Sequence, residues 1–149
     1  MTTPACTLAK AFFAAFARHD TEAMVALCGT RARLDYPAFE IPGKTRVLRA
    51  DGHVRTIGRP LWSGLIMAFP DLTVDLRSLV SDHTANVAAK VVLAGTQKLP
   101  WGNIPCQGRS FESRQLFILR MAADGLIGAV TAYWCNSDLG RQLGYHEVN

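Results

Sequence analysis

RSFESRQLFILRM, residues 109–121, is the stretch that decides the fold. From residue 111 onward, Phe111, Ser113, Gln115, Phe117, Leu119 and Met121 share one parity, and Glu112, Arg114, Leu116, Ile118 and Arg120 the other. Successive side chains of a strand point to opposite faces, so this alternation predicts a long strand with a more apolar face turned inward and a charged face turned out. Its neighbours read alike. Strands are expected over 72–80, 86–97 and 126–134, with turns at Asp82-His83 and Asp124-Gly125. Further upstream, residues 31–37 alternate again, with Ala32, Leu34 and Tyr36 opposed to Arg33 and Asp35. A loop carrying Pro and Gly is expected from Ala38 to about Gly52.

Helices occupy the first half. Leu8, Phe12, Ala15 and Phe16 are spaced for one helix over 8–19. Asp20 is placed to cap a second over 21–28, stopping at Gly29. A third is interrupted by Gly58 and Pro60; its better half runs from Pro60 through Trp62, Leu65 and Phe69 to Pro70. A polar, Gly-containing tail closes the chain. Helices followed by a run of strands is an α+β order, and a curled sheet closed by helices encloses a cavity.

The chain's 149 residues suit one domain, 1–149, with a genuine core. Apolar residues make up 49% and charged residues 19%, an ordinary globular balance. No uninterrupted apolar run is long enough to span a bilayer, and the N-terminus has no signal-peptide pattern; a cytoplasmic protein without membrane association is expected. The net charge of +4 is spread along the chain with no compact basic stripe, which argues against nucleic acid. Four scattered cysteines, without CxxC spacing, are expected to be free thiols; no group has metal-ligand spacing, and no metal or organic cofactor is expected.

AFPDL (68–72), AGT (94–96), GNIPCQGR (102–109), ADG (123–125) and RQLG (141–144), in this order and spacing, resemble the SnoaL-like polyketide cyclases of the nuclear transport factor 2-like superfamily. The resemblance runs from about residue 7 to 144. It implies a cone-shaped curved antiparallel (mixed) sheet with N-terminal helices enclosing a pocket, and a homodimer paired through the open sheet face. It leaves the reaction open, because this fold hosts cyclases, isomerases, hydrolases, dehydratases and non-catalytic binders.

AYW (132–134) is similar to the ketosteroid isomerases of the same superfamily. Their base carboxylate, oxyanion-binding tyrosine and protonated aspartate align with Tyr36, Phe12 and Phe117, which cannot do that chemistry. The cyclases' acid/base carboxylate and histidine fall at or beside Ala132 and Phe117. Isomerisation by the steroid mechanism is therefore not expected. Either the chemistry uses other residues or the pocket only binds.

Three residues are candidates for acid/base work. Tyr36 shares the inward face with Leu34; a buried tyrosine bonded to a carbonyl would fit the same pattern. Asp35 alternates outward and would need a bulge near Pro37 to turn in. His53 precedes the third helix, near the cavity mouth by the resemblance, where a solvated loop histidine is the plain alternative. Candidate ligand contacts are Phe12, Trp62, Gln97, Gln115, Phe117 and Trp134, aromatic walls and buried amides suited to a flat oxygenated ligand, with core packing as the alternative for each. Glu112 and Arg114 loosely resemble, in reversed order, the Arg/Asp pair of limonene epoxide hydrolases, but they fall on the outer parity. The expectation is a cofactor-independent enzyme of cyclase, isomerase or dehydratase (lyase) type. It would act on a hydrophobic oxygenated small molecule of natural-product biosynthesis, such as a polyketide or terpenoid, with a non-catalytic ligand-binding protein as the rival.

Overall fold

A computed structural model describes residues 3–37, 50–102 and 104–144. Thr3 starts α1 (Pro4–Ala17): its hydroxyl accepts from the Cys6 N–H at 3.1 Å, and Pro4 fills a first-turn position where no N–H is needed. The buried face of α1 is wider than the 12/16 spacing alone implies. Ala5, Ala9, Phe12, Phe13, Ala15 and Phe16 are all covered, and the alanines let the helix lie close across β3, β4 and β5 as defined below. His19 takes a left-handed φ of 63°, turning the chain, and its Nε2 donates to the Leu72 carbonyl at 2.8 Å. Asp20 then caps α2 (Thr21–Ala26) through the Ala23 N–H at 3.0 Å, as its position predicts.

The second helix ends earlier than the sequence reading because β1 (Cys28–Tyr36) begins at Cys28, recruited by a partner far along the chain. The short β2 (Ala50–His53) pairs antiparallel with β1 where a loop was expected; ADGH carries no apolar alternation, and its strand character comes from backbone bonds to β1. The other residues of that expected loop, 38–49, lie outside the described residues. A π-helical segment (Val54–Gly58) leads into α3 (Arg59–Ala68), which stops before Pro70. The remaining strands are β3 (Thr73–Ser81), β4 (Asn86–Thr96), β5 (Ser110–Met121) and β6 (Ile127–Tyr133). The tail contains a helix not foreseen from its polar composition, α4 (Asn136–Gln142), anchored by buried Leu139 and Leu143.

The six strands form one curved open sheet in the order β2-β1-β6-β5-β4-β3. Every neighbour pair is antiparallel except β1 and β6, which run parallel, so the sheet is mixed. The alternation of β5 is realised in full: Phe111, Ser113, Gln115, Phe117 and Leu119 are buried, while Glu112, Arg114, Leu116 and Arg120 are exposed. Between β3 and β4, the Asp82 carboxylate accepts from the Thr84 and Asn86 N–H groups and the Asn86 side chain, at 2.9–3.0 Å, around a left-handed His83.

Strand β6 pairs with β5 only as far as Leu116↔Tyr133. Upstream of that point α4 replaces the missing strand. The Glu112 N–H donates to Gln142 Oε1 at 2.7 Å, and Gln142 Nε2 donates to the Glu112 carbonyl at 2.9 Å. One side-chain amide thus satisfies both backbone groups of a sheet residue that has lost its neighbour.

Candidate functional site

Alternation on β1 turns Tyr36 inward, where aromatic rings from α1, α3, β5 and Trp134, just past β6, are gathered. Tyr36 lies 4.8 Å from Trp134 and 6.3 Å from Phe117, between ring centroids. Phe117 continues to Phe13 at 5.1 Å, Phe13 to Phe12 at 5.2 Å, and Phe12 to Trp62 at 5.4 Å, all edge to face. On the other side, Trp134 meets Trp101 at 5.5 Å and Trp101 meets Phe69 at 6.1 Å. Such edge-to-face geometry satisfies the ring quadrupoles and gives the wall a defined shape.

Trp62 closes the circuit through a polar contact. Its Nε1–H donates to the Tyr36 hydroxyl at 3.0 Å, both groups being buried. Gly58 makes this placement possible, since a Cβ there would stand 3.3 Å from the Trp62 ring. The Tyr36 oxygen is thereby an acceptor, and its own proton has no acceptor among the described residues. Burial pushes the phenol well above its ordinary pKa, the bond from Trp62 only partly opposing that rise. Tyr36 is therefore a neutral hydrogen-bond donor at physiological pH and is no base.

Three further polar groups reach the interior. Gln97 Nε2 donates to the Ile104 carbonyl at 3.1 Å, bracing the Trp101↔Ile104 bridge that sets Trp101 against Trp134, while Gln97 Oε1 has no partner among the described residues. Gln115, opposite Val91 on β4, has its Nε2 3.3 Å from Ser113 Oγ and leaves its Oε1 unpartnered. The Trp134 Nε1–H is also buried without an acceptor. Buried polar atoms are ordinarily bonded, so three without a partner among the described residues set this interior apart.

The structure thus brings Tyr36, Phe12, Trp62, Phe117 and Trp134 together around the rings and places Gln97 and Gln115 on the same inner face. It does not bring Asp35 or His53 to them. Asp35 is exposed on the outer face, paired across the strands with Asp51 and Thr131; the inward turn needed for an acid/base part is not made. His53, exposed at the end of β2, pairs with Arg33, the strand register carrying it away from Tyr36. Phe13, Phe69, Trp101 and Ser113 complete the interior and were not among the candidates. Ser113 was legible from the parity of β5, whereas Trp101 reaches the wall through the bridge to Ile104, which no periodicity encodes.

Among the described residues, the buried polar side chains outside the aromatics are Gln97, Ser113 and Gln115; no carboxylate, imidazole, ammonium or guanidinium is buried. No group of three or more His, Cys, Asp or Glu among them could hold a metal ion, and no helix among them is long and apolar enough to cross a membrane. A groove of about 670 Å³ is lined by Arg77, Lys90, Glu112, Arg114 and Tyr133 together with Gln115 and Trp134, and within it Glu112 and Arg114 are on the exposed parity of β5.

The profile of the SnoaL-like polyketide cyclases matches residues 57–143. The chain belongs to that family. No protein of curated function matches it by sequence. Among solved structures it is similar to TsrD from Streptomyces laurentii, at 23% identity and a TM-score of 0.74, covering 94% of each chain. IdmH from Streptomyces antibioticus shares 24% identity and a TM-score of 0.72, over 96% of this chain and 99% of that one. RV0760c from Mycobacterium tuberculosis, solved in complex with estradiol-17beta-hemisuccinate, shares 19% identity and a TM-score of 0.69, over 92% and 98%. Likeness at this level is likeness of fold. Within this SnoaL-like chain, Phe117 and Ala132 are fully buried and face each other across β5 and β6.

Proposed function

We propose that this SnoaL-like protein is a cofactor-independent enzyme of cyclase, isomerase or dehydratase type, acting on a hydrophobic oxygenated small molecule such as a polyketide or terpenoid. The observation that carries this reading is the bond from Trp62 Nε1–H to Tyr36. With its oxygen accepting from Trp62, the phenol has a proton that no described residue takes, and it stands among aromatic rings suited to a flat guest. Donors aimed at an oxygen on which charge builds stabilise the transition state more than the ground state. The aromatic walls, Phe12, Trp62, Phe117 and Trp134, would hold the ligand in a reactive conformation, and Gln97 and Gln115 would orient its oxygens. Such preorganisation can lower a cyclisation barrier by several kcal/mol, on the order of 7–11 at best. With Asp35 and His53 outside, Tyr36 is the acid/base group this reading retains.

One observation favours a second reading, a non-catalytic binder: apart from Tyr36 and Cys28, no ionisable side chain is buried among the described residues. That RV0760c is seen with a steroid ester is compatible with either. Turnover assays with polyketide and terpenoid substrates separate them. Conversion that falls at least tenfold in Tyr36→Phe, with affinity held, supports the enzyme; unchanged conversion overturns the part given to Tyr36, and tight binding without conversion supports the binder.

The same proposal includes a homodimer in the cytoplasm, paired through the outer sheet face, where Leu116 and Tyr133 lie cross-strand and are 37% and 47% exposed. Sedimentation at micromolar concentration should give a dimer, and a monomer would overturn this.

A further inference from the structure

Gln115 and Trp134 define a finer feature of the same interior. Gln115 precedes Leu116 and Trp134 follows Tyr133, the last cross-strand pair of β5 and β6, and the two residues line one groove. Both are nearly covered, at 5% and 6% exposure. The indole is fixed between Tyr36 and Trp101. Ser113 Oγ, 3.3 Å from Gln115 Nε2, orients the amide so that its oxygen is the free end. One buried donor, Trp134 Nε1–H, and one buried acceptor, Gln115 Oε1, thus stand close together, and neither has a partner among the described residues, not even the other.

We propose that this pair is a recognition subsite for an uncharged hydroxyl group, phenolic or enolic, on the ligand; the inference rests on the interior being a ligand pocket, as argued above. A hydroxyl is the smallest group that accepts from the indole N–H and donates to the amide oxygen at once. A carbonyl or ether oxygen satisfies the indole alone and leaves Gln115 Oε1 desolvated and unpaired, which is costly. A carboxylate meets that oxygen with repulsion, and among the described residues neither a cation nor a carboxylate is buried to neutralise a charged group placed against the pair. The subsite therefore selects by hydrogen-bond polarity and by charge together.

The test uses the full chain and four probes of one shape: 2-naphthol, naphthalene, 2-naphthyl methyl ether and 2-naphthoate, measured by calorimetry at neutral pH. A site built around a hydroxyl disfavours analogues lacking it, so 2-naphthol should bind at least about tenfold tighter than each of the others. The Trp134 indole proton resonance, identified by its loss in Trp134→Phe, should move with 2-naphthol and stay with naphthalene. Gln115→Leu should remove the preference for 2-naphthol and retain naphthalene binding. Equal affinity across the four probes, or methyl ether matching naphthol, overturns the hydroxyl subsite and leaves the pocket standing. Failure of every probe to bind overturns both. The probe series on the unaltered protein decides the matter even if a variant fails to fold.

Discussion

Removing one oxygen atom, by Tyr36→Phe, tests the arrangement on which the catalytic reading depends. The ring would keep its contacts with Trp134 and Phe117, but the Trp62 Nε1–H would be left buried without an acceptor. A buried donor stripped of its partner costs about 1–3 kcal/mol. For a chain of this size each kcal/mol lowers Tm by about 2–4 °C, so a fall of about 2–12 °C is expected. Trp62→Phe also removes packing volume, and its own cost therefore mixes bond and cavity. The double variant isolates the bond. Once Trp62 is replaced, the Tyr36 oxygen has no donor, and deleting it should be nearly neutral. Urea unfolding of the four proteins should then give a coupling energy of about 1–3 kcal/mol. Additivity within about 0.5 kcal/mol would refute the reasoning, because contacts that do not interact add to that accuracy. It would mean that the bond is absent in solution and that nothing fixes the direction of the phenol proton.

Gln142→Leu should strip both bonds from the Glu112 backbone, costing about 1–3 kcal/mol at roughly 0.5–1.5 each, and hydrogen exchange should report lost protection at the Glu112 amide. In an alkaline spectrophotometric titration, Tyr36 should ionise only as the chain unfolds. Its raised folded pKa makes a stability contribution that is complete below the ordinary tyrosine pKa and is lost as pH rises through and above it. Asp82 works in the opposite sense: the Asn86 side chain and the Thr84 N–H hold its carboxylate well below the ordinary range, so its support of the turn is complete above the unfolded aspartate pKa and disappears as pH falls beneath it. The Thr84 and Asn86 amide shifts should report a midpoint lower than that of a free aspartate. Thiol labelling should proceed quickly at exposed Cys106 and Cys135 and hardly at all at Cys28, whose burial pushes its pKa up to about 12.

Local pattern revealed whatever local pattern controls. The parity of β5, the Asp20 cap and the 82–83 and 124–125 turns are all written within a few residues, and each was legible. The parallel pairing of β1 with β6 was not, since it joins Asp35 to Thr131 across most of the chain and no short window carries it. The same distance hid the early start of β1. Strand β2 is four residues without alternation, and α4 owes its stability to two leucines and the bonds of Gln142, so propensity had little to read. At the site, parity sent Tyr36 inward and Asp35 outward, and the structure keeps both. The contact between Tyr36 and Trp62 depends on how α3 docks on the sheet, a tertiary fact that reveals itself only when the two rings are seen together.

The strict two-residue rhythm of β5 also makes this strand tolerant of one kind of genetic change and fragile to another. Exchanging Ser113, Gln115 or Phe117 for other side chains would reshape the interior without touching the surface, and exchanging Glu112, Arg114 or Arg120 would do the reverse. Gaining or losing a single codon within the strand would instead shift its downstream part by one step, driving arginines into the aromatic wall and phenylalanines into water. Change to the interior of this chain should therefore proceed by replacement along β5, with length variation confined to the turns at its ends.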